Sequence, residues 1–372
     1  MVVPLFREML RGHGLKARVE VVALVAKMER IQPLADRVPS VVSISMFWLG
    51  RFRPKLRHLA PTGVRRRNML QHAAASQWLE QLVGQLPPQL LEGLVAHRGF
   101  HCPQLLDKRP LECTLPALTS AWDAGVKLCE CDVRLSSDGE ILLFHDEALD
   151  RLTAKTGMPK IAEMTAEELM QRPLLQGACI CTLEETLQTA LRKKCKLVIE
   201  LKGFDDGGVG SAVAVLLSSK PELLGACALV MSFELEQLQG FALAFEEQRK
   251  LRSGPHGPQR PQLLLLTCVP RPGLEAKYQT LDLGSASYME TVMEHLERKD
   301  LCLDGFYMEW TDRLTNIDKE ALCHLCRRCT VGVWQRFGQT DCEKEAVQLM
   351  ESGVTYCNSD LPEDFLSKET GR

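Results

Sequence analysis

The sequence predicts a (β/α)₈ barrel that is preceded by a basic N-terminal extension. From about residue 94 onward, apolar runs alternate with helix-like stretches, and eight such units in about 270 residues fit this barrel, with a doubly wound open sheet as the alternative. The runs are mostly continuously apolar, as expected for strands that are buried on both faces. They are GLVAH (93–97), VKLCECDV (126–133), KLVIELK (196–202), CALVMSF (227–233), QLLLLT (262–267), GFYMEW (305–310), TVGVW (330–334) and VTYCN (354–358).

The stretches between the strands carry helix signals, with one exception. TLEETLQTALRKK (182–194) and EKEAVQLMESG (343–353) have helical periodicity, and they end in basic residues or in glycine, both of which stop helices. EILLFHD (140–146) follows the second strand after a gap of only turn length, SSDG. We therefore predict a short hairpin arm on the second strand, not a ninth barrel strand.

Charge divides the chain into a basic leader and an acidic body. Residues 1–70 hold 14 Lys/Arg and 4 Asp/Glu, whereas the remaining 302 residues hold 31 and 44. We place the extension at 1–90 and the barrel at 91–368. The extension is open to three interpretations: helices packed on the barrel, organelle targeting, or a peripheral membrane contact through residues 41–67, where VVSISMFWLG precedes a basic run. No apolar run reaches the roughly 18 residues of a membrane span, and no motif indicates a nucleic-acid partner.

The 15 cysteines are scattered without regular spacing, which indicates free thiols in a reducing compartment. We expect an intracellular, cytoplasmic protein, with association to an organelle or a membrane as the alternative. Cys323, Cys326 and Cys329 form a CxxCxxC that could bind a metal, but cysteine also packs as a small hydrophobe, and we favour a buried helix end.

Polar residues interrupt the apolar strands where a (β/α)₈ barrel places its chemistry, at the carboxyl ends of the strands. These residues would meet at one mouth of the barrel. They are His97 and Arg98 after the first strand, Glu130 and Asp132 on the second, Glu200 and Lys202 on the third, and His145 on the hairpin arm.

This set of side chains points to a particular chemistry. Glu130, Asp132 and Glu200 would form an all-oxygen site for one hard divalent cation, Ca²⁺ or Mg²⁺, which would offset the repulsion between the carboxylates. Two histidines can exchange protons near neutral pH, and two cations suit an anionic substrate. Each residue alone is more often structural than functional, so the inference rests on their joint placement. Together they predict metal-assisted cleavage of a phosphate ester.

Residues of about 94–365 resemble the glycerophosphodiester phosphodiesterase family. The resemblance rests on short motifs in the family's order: AHRGF (96–100), PLECT (110–114), ECDVRLSSDGEILLFHDEALDRLT (130–153), IELK (199–202), MSF (231–233), VW (333–334) and SGVTYCNSDLP (352–362). It implies a (β/α)₈ barrel that hydrolyses glycerophosphodiesters to glycerol 3-phosphate and an alcohol. It further implies metal ligation by Glu130, Asp132 and Glu200, acid–base catalysis by His97 and His145, and substrate binding by Arg98, Lys202 and Glu112. The role of Glu112 comes from the resemblance alone.

The chain departs from the family pattern at three positions, and these leave substrate preference open. Cys113 replaces an asparagine, Gln335 replaces a threonine, and Thr355 replaces an aspartate. We expect a small-molecule glycerophosphodiester as substrate. The alternatives are lysophospholipase D-type hydrolysis of lysophospholipids and, in another class, a non-catalytic binding or scaffolding protein that uses the basic leader.

Overall fold

The computed structural model describes the barrel and leaves the extension almost entirely outside its described part. The described residues are 80–81, 83–101, 109–203, 208–252, 258–269, 271, 287–298, 302–335 and 342–360. The proposed membrane contact at 41–67 and nearly all of the extension at 1–90 therefore lie outside the described residues, and their roles stay predictions. Within the described part, no helix combines the length and the apolar character needed to cross a bilayer.

Eight parallel strands close into a barrel, as the sequence predicts. The ring runs β1-β2-β4-β5-β6-β7-β8-β9, and it closes because β1 pairs with both β2 and β9. The hairpin arm is also confirmed: β3 pairs antiparallel with β2 and lies outside the ring. The strands are β1 (Leu94–Ala96), β2 (Leu128–Leu135), β3 (Ile141–Leu143), β4 (Lys196–Leu201), β5 (Cys227–Ser232), β6 (Gln262–Thr267), β7 (Gly305–Glu309), β8 (Thr330–Trp334) and β9 (Tyr356–Ser359).

Helices follow the strands and cover the outside of the ring. Their starts use side-chain caps, such as Thr114 before α2 and Thr182 before α5, whose hydroxyls accept backbone N–H groups of the first turn. The helices are α1 (Pro88–Gly93), α2 (Leu115–Asp123), α3 (Asp150–Thr153), α4 (Ala166–Gln171), α5 (Leu183–Lys193), α6 (Gly208–Ser219), α7 (Leu235–Arg252), α8 (Tyr288–Glu297), α9 (Asp312–Thr315), α10 (Lys319–Cys326) and α11 (Glu343–Glu351).

Side-chain alternation along the strands decides which residues enter the barrel. On β2, Cys129, Cys131 and Val133 belong to the apolar cluster between the sheet and the outer helices, whereas Leu128 belongs to the cluster inside the ring. Successive side chains of a strand point to opposite faces. Glu130 and Asp132 therefore share the interior face with Leu128. The apolar residues of the strand pack on both of its faces, which is why the run is continuously apolar.

A third apolar cluster, which we call the satellite core, is formed mainly by the long connection between β3 and β4, which packs on Leu142 of β3 and on Leu111. Its role is local: it fixes α3 and α4 beside the hairpin arm and thus sets the position of the chain that follows His145. Its members are Leu111, Leu142, Phe144, Leu149, Leu152, Ile161, Met164, Ala166, Leu169, Leu174 and Ile180.

Candidate active site

A sharp turn after β1 aims two of the predicted residues at the barrel mouth. Arg98 has a φ of 53° and Gly99 a φ of 83°, both in the left-handed region. A side chain on Gly99 would meet the backbone of Ala117 at 2.6 Å, so glycine is required where the turn packs on α2. The turn lets the Arg98 backbone N–H donate to Glu130 Oε2 at 2.9 Å, while its guanidinium remains available to other carboxylates.

The three carboxylates come together because β2 and β4 pair in register. Asp132 lies opposite Glu200, and Glu130 precedes Asp132 by two residues on the same face. One oxygen from each lies within 4.8 Å of the others, and Glu130 and Asp132 are fully buried. Burial, and then the neighbouring Asp132 carboxylate, raise the pKa of Glu130 above its usual range.

The donor set fits a hard divalent cation. Glu130 Oε1 is buried and has no hydrogen-bond partner, which is costly for a carboxylate oxygen unless a positive charge faces it. Oxygen-only ligands favour ions such as Ca²⁺ and Mg²⁺ over softer metals. Among the described residues, this is the one group of three or more His, Cys, Asp or Glu side chains close enough to hold a metal ion together.

Two basic side chains bind the same carboxylates. Lys202 Nζ lies 3.2 Å from Asp132 Oδ1 and also contacts Glu200 Oε1. Arg98 Nε lies 3.2 Å from Asp132 Oδ2, an oxygen that also accepts from the Cys113 thiol at 3.4 Å. Burial would raise the pKa of Asp132, but Lys202 and Arg98 more than offset it and hold that pKa well below its usual range. Asp132 is therefore ionised, and both cations have fixed positions at the mouth.

His97 is paired with a residue from the far end of the chain. Its Nδ1 lies 2.5 Å from Asp360 Oδ1, and its Nε2 lies 3.7 Å from Glu130 Oε2. The pairing follows from β1 and β9, because Ala96 lies opposite Ser359 and the next residue of each strand enters the mouth. Burial would lower the pKa of His97, but the Asp360 carboxylate outweighs burial and raises it to about 9. His97 is thus protonated at neutral pH, with Nδ1–H donating to Asp360.

His145 is paired with its own neighbour in sequence. Its Nδ1 lies 2.6 Å from Asp146 Oδ1, and Asp146 Oδ2 accepts from Arg151 Nε at 2.6 Å. Burial, the strongest influence, lowers the pKa of His145 to about 4, and nearby Lys202 and Arg98 act in the same direction against Asp132. His145 is therefore neutral at pH 7. Because Asp146 accepts Nδ1–H, the lone pair of the imidazole lies on Nε2.

Comparison with known proteins identifies the barrel. A model of the glycerophosphoryl diester phosphodiesterase family matches residues 97–244, the stretch that carries the turn after β1, the three carboxylates and both histidines. The barrel of this chain is thus similar to this family over the matched residues. A candidate glycerophosphodiester phosphodiesterase from Bacillus subtilis is 32% identical over 158 residues, which cover 40% of this chain and 60% of that protein. The chain thus spans somewhat more than half the length of this relative.

Solved structures show the same fold. A candidate glycerophosphodiester phosphodiesterase from Galdieria sulphuraria superposes with a TM-score of 0.51 at 21% identity, covering 74% of this chain and 96% of that one. A candidate glycerophosphoryl diester phosphodiesterase from Agrobacterium tumefaciens gives a TM-score of 0.52 at 18% identity, covering 74% of this chain and 96% of that one. At this identity the likeness shows the barrel fold.

The structure places all eight predicted site residues at one end of the barrel. Direct contacts link seven of them: His97, Arg98, Glu112, Glu130, Asp132, Glu200 and Lys202. His145 joins them through Asp146 and Arg151. Glu112, which entered through the family resemblance, accepts from Arg98 at 2.9 Å and from Arg151 at 2.7 Å through both of its oxygens. The catalytic and binding roles of the eight residues stay predictions.

Two partners in the site escaped the sequence analysis: Asp360 and Arg151. Asp360 is 263 residues from His97, and only the pairing of β1 with β9 reveals the contact. Arg151 lies close to His145 and Asp146 in sequence, so a search for charged partners of the residues on the hairpin arm would have found it.

A small, open cavity lies beside His97 at the same end of the barrel. Its lining residues come from the ends of β1, β8 and β9, and they are His97, Trp334, Gln335, Asn358 and Asp360. Trp334 donates its indole N–H to the carbonyl of Thr267 at 3.2 Å, which fixes the ring. The cavity therefore offers a shaped space next to the protonated histidine.

The cysteine motif contributes no metal site in the part of the chain that the structure describes. Cys323 and Cys326 lie on α10 and Cys329 follows it, but the three thiols are not among the side chains close enough to share an ion. Cys326 and Cys329 pack against the main apolar cluster instead, as the helix-end interpretation expects. No disulfide joins the described cysteines.

Proposed function

We propose that this chain hydrolyses glycerophosphodiesters to glycerol 3-phosphate and an alcohol, with one divalent cation, Ca²⁺ or Mg²⁺, held by Glu130, Asp132 and Glu200. The observation that supports this most is the meeting, at one mouth, of three buried carboxylates with one protonated and one neutral histidine. The cation would polarise a phosphoryl oxygen and neutralise charge as the reaction proceeds. The match of residues 97–244 to the family model supports the same reaction class.

The two histidines divide the proton transfers. His145 Nε2 accepts the proton of the water whose oxygen attacks phosphorus, because this nitrogen holds a lone pair at neutral pH. His97 donates its Nε2 proton to the oxygen of the departing alcohol as the P–O bond breaks. One proton enters the site on water and one leaves on the alcohol, so protons and charge balance over the turnover.

Arg98 and Lys202 orient the phosphate. Both side chains form salt bridges with Asp132, and Arg98 forms a second one with Glu112. They are therefore already ordered when the anionic substrate binds. The departing alcohol, whose oxygen His97 protonates, would lie next to the small cavity beside this histidine. Gln335 and Trp334 line this cavity, so they contact the departing alcohol and affect which alcohol is accepted.

A substrate panel tests the proposal. Purified protein is assayed with glycerophosphocholine, glycerophosphoethanolamine, glycerophosphoinositol and lysophosphatidylcholine, first in EDTA and then after adding back Ca²⁺ or Mg²⁺. We expect hydrolysis of at least one glycerophosphodiester that requires the added ion. Hydrolysis of lysophosphatidylcholine alone would establish the lysophospholipase D alternative. The sequence feature that favours this alternative is the possible membrane contact at 41–67, which lies outside the described residues. No hydrolysis of any diester by the metal-loaded protein would overturn the proposal.

A further inference from the structure

Arg151 holds two carboxylates of the site although it lies outside the barrel. It belongs to the short helix α3, which the satellite core fixes beside the hairpin arm, and its side chain is 44% exposed. NH1 and NH2 donate to the two oxygens of Glu112, each at 2.7 Å, and Nε donates to Asp146 Oδ2 at 2.6 Å. One planar guanidinium thus serves two carboxylates, a geometry that lysine cannot reproduce.

Each of those carboxylates also holds a residue of the proposed reaction. The other oxygen of Asp146 accepts from His145 Nδ1 at 2.6 Å. Glu112 accepts from Arg98 NH1 at 2.9 Å, and Arg98 in turn lies 3.2 Å from Asp132. A continuous chain of charge-assisted hydrogen bonds therefore joins His145 to Arg98 and to a proposed metal ligand.

We propose that Arg151 is a positioning residue that orients the imidazole of His145 through Asp146 and links it to the phosphate-binding Arg98 through Glu112. The inference rests on the proposed function, in which His145 accepts a proton from water. Its physical basis is that a proton acceptor misplaced by about 1 Å can cost about 10²-fold in rate. Arg151 itself touches neither of the histidines and neither of the phosphate-binding cations in the described contacts.

Arg151 also determines how strongly Asp146 acts on His145. The charged groups that face His145 are Asp132 on β2, Lys202 after β4, Arg98 after β1 and its own neighbour Asp146. Arg151 pairs with Asp146, so its positive charge opposes the stabilisation of the imidazolium by that carboxylate. Without Arg151, Asp146 would favour the protonated form of His145 more strongly.

The experiment compares Arg151→Gln, Arg151→Lys and a control. Lys160→Gln is the matched control, because Lys160 forms an exposed salt bridge with Glu147 at 2.7 Å on the same connection but touches none of these residues. kcat and KM are measured on a glycerophosphodiester in excess Ca²⁺ or Mg²⁺. In parallel, the His145 imidazole is titrated by NMR in chelated protein, and its signal is assigned by its loss in His145→Gln.

For Arg151→Gln we expect kcat to fall about 10- to 100-fold with KM changed less than about threefold, because the misplaced group acts mainly in the transition state. The NMR titration midpoint of His145 should rise by about one pH unit. Arg151→Lys should leave the midpoint near the wild-type value, since its charge remains, and should recover only part of kcat. Lys160→Gln should match the wild type in every measurement.

Two results would overturn the positioning role. One is wild-type kcat with an unmoved His145 titration in Arg151→Gln. The other is a lower kcat that tracks loss of folded protein by thermal melting while the His145 midpoint stays in place, which would mean that Arg151 only stabilises α3. If the wild type itself hydrolyses no diester, the proposed function fails, and the NMR titration still decides whether Arg151 controls His145.

Discussion

His97 and His145 each present Nδ1 to an aspartate at almost the same distance, 2.5 Å and 2.6 Å, yet they carry different charges at neutral pH. Asp360 forms no ion pair with arginine or lysine among the described residues, so its charge acts on His97. Asp146 also pairs with Arg151, and burial together with Lys202 and Arg98 lowers the pKa of His145. The pKa of each histidine therefore depends on burial and on all the charges around it, not only on the distance to its aspartate.

The difference in neighbouring charge supports the proposed division of the proton transfers, with His97 as the donor and His145 as the acceptor. The distances to the two aspartates are similar and would by themselves allow either histidine to be the acid. Changes to the cation, to the histidines and to their carboxylate partners test this division.

Removing the divalent cation should abolish hydrolysis, because both histidines act on a phosphate that the cation would polarise. EDTA is added to the protein and the rate on glycerophosphocholine is followed, with Ca²⁺ or Mg²⁺ restored as the control. Glu200→Gln should weaken metal binding in calorimetry because it removes one charged ligand. An unchanged rate in chelator would remove the metal from the mechanism.

His97→Ala and His145→Ala should each lower kcat by about 10²–10⁴-fold in folded protein. The two variants should differ on a diester whose alcohol is acidic, such as p-nitrophenol, because such an alcohol departs without a proton. This substrate should restore much of the rate of His97→Ala and little of the rate of His145→Ala. Equal recovery of both variants would contradict the division of roles.

Glu112→Gln should destabilise the fold, because Glu112 is 3% exposed and accepts three charge-assisted hydrogen bonds from Arg98 and Arg151. Burial would raise the pKa of Glu112, but Arg151 and Arg98 lower it from 4.5 to about 2. A depression of this size corresponds to about 3 kcal/mol of folding free energy, present above the unfolded-state pKa and lost as pH falls towards 2.

The measured quantity is the difference in Tm between the wild type and Glu112→Gln as a function of pH. It should be widest above about pH 5 and should narrow as the pH is lowered towards 2, because protonated Glu112 no longer attracts its two arginines. Glu163→Gln, a change at an exposed carboxylate of the same connection, controls for the general effect of acid. A gap that does not change with pH would indicate a packing effect rather than an electrostatic one.

Asp360→Asn should move the alkaline limb of the rate profile to lower pH. The pKa of His97 is raised to about 9 by Asp360 against the lowering effect of burial, so without that carboxylate His97 loses its proton well below pH 9. At pH 8 we expect about a tenfold lower rate than in the wild type, with a smaller difference at pH 6. Asp146→Asn should leave the alkaline limb in place, because it contacts the other histidine.

Much of this architecture can be predicted from the sequence because it depends on local patterns. Glu130 and Asp132 stand two residues apart in an apolar run, and that spacing alone places them on one face of a strand. The same holds for Glu200 and Lys202, and the turn-length gap before Ile141 predicts the hairpin arm, which the structure confirms.

The charge states could not be predicted in this way, because they depend on contacts between distant segments. Nothing near His97 in sequence indicates Asp360, and the left-handed turn at Arg98 and Gly99 becomes evident only in the folded chain. Arg151 lies in a short polar helix that looks like a solvent-facing one, and its contact with Glu112 requires the satellite core. The role of the extension at 1–90 stays a prediction.

The pairing of β1 with β9 has a consequence for how this barrel is synthesised. A ribosome delivers β1 before the other strands of the ring and β9 after them, so during synthesis β1 and β8 both carry unpaired edges of the kind that recruit other chains. A product that terminates after β8 would keep all three carboxylates and both histidines, yet it would lack Asp360 and the strand that closes the ring. Premature termination should therefore yield an aggregation-prone protein whose His97 lacks its carboxylate partner, because β9 both closes the ring and delivers Asp360.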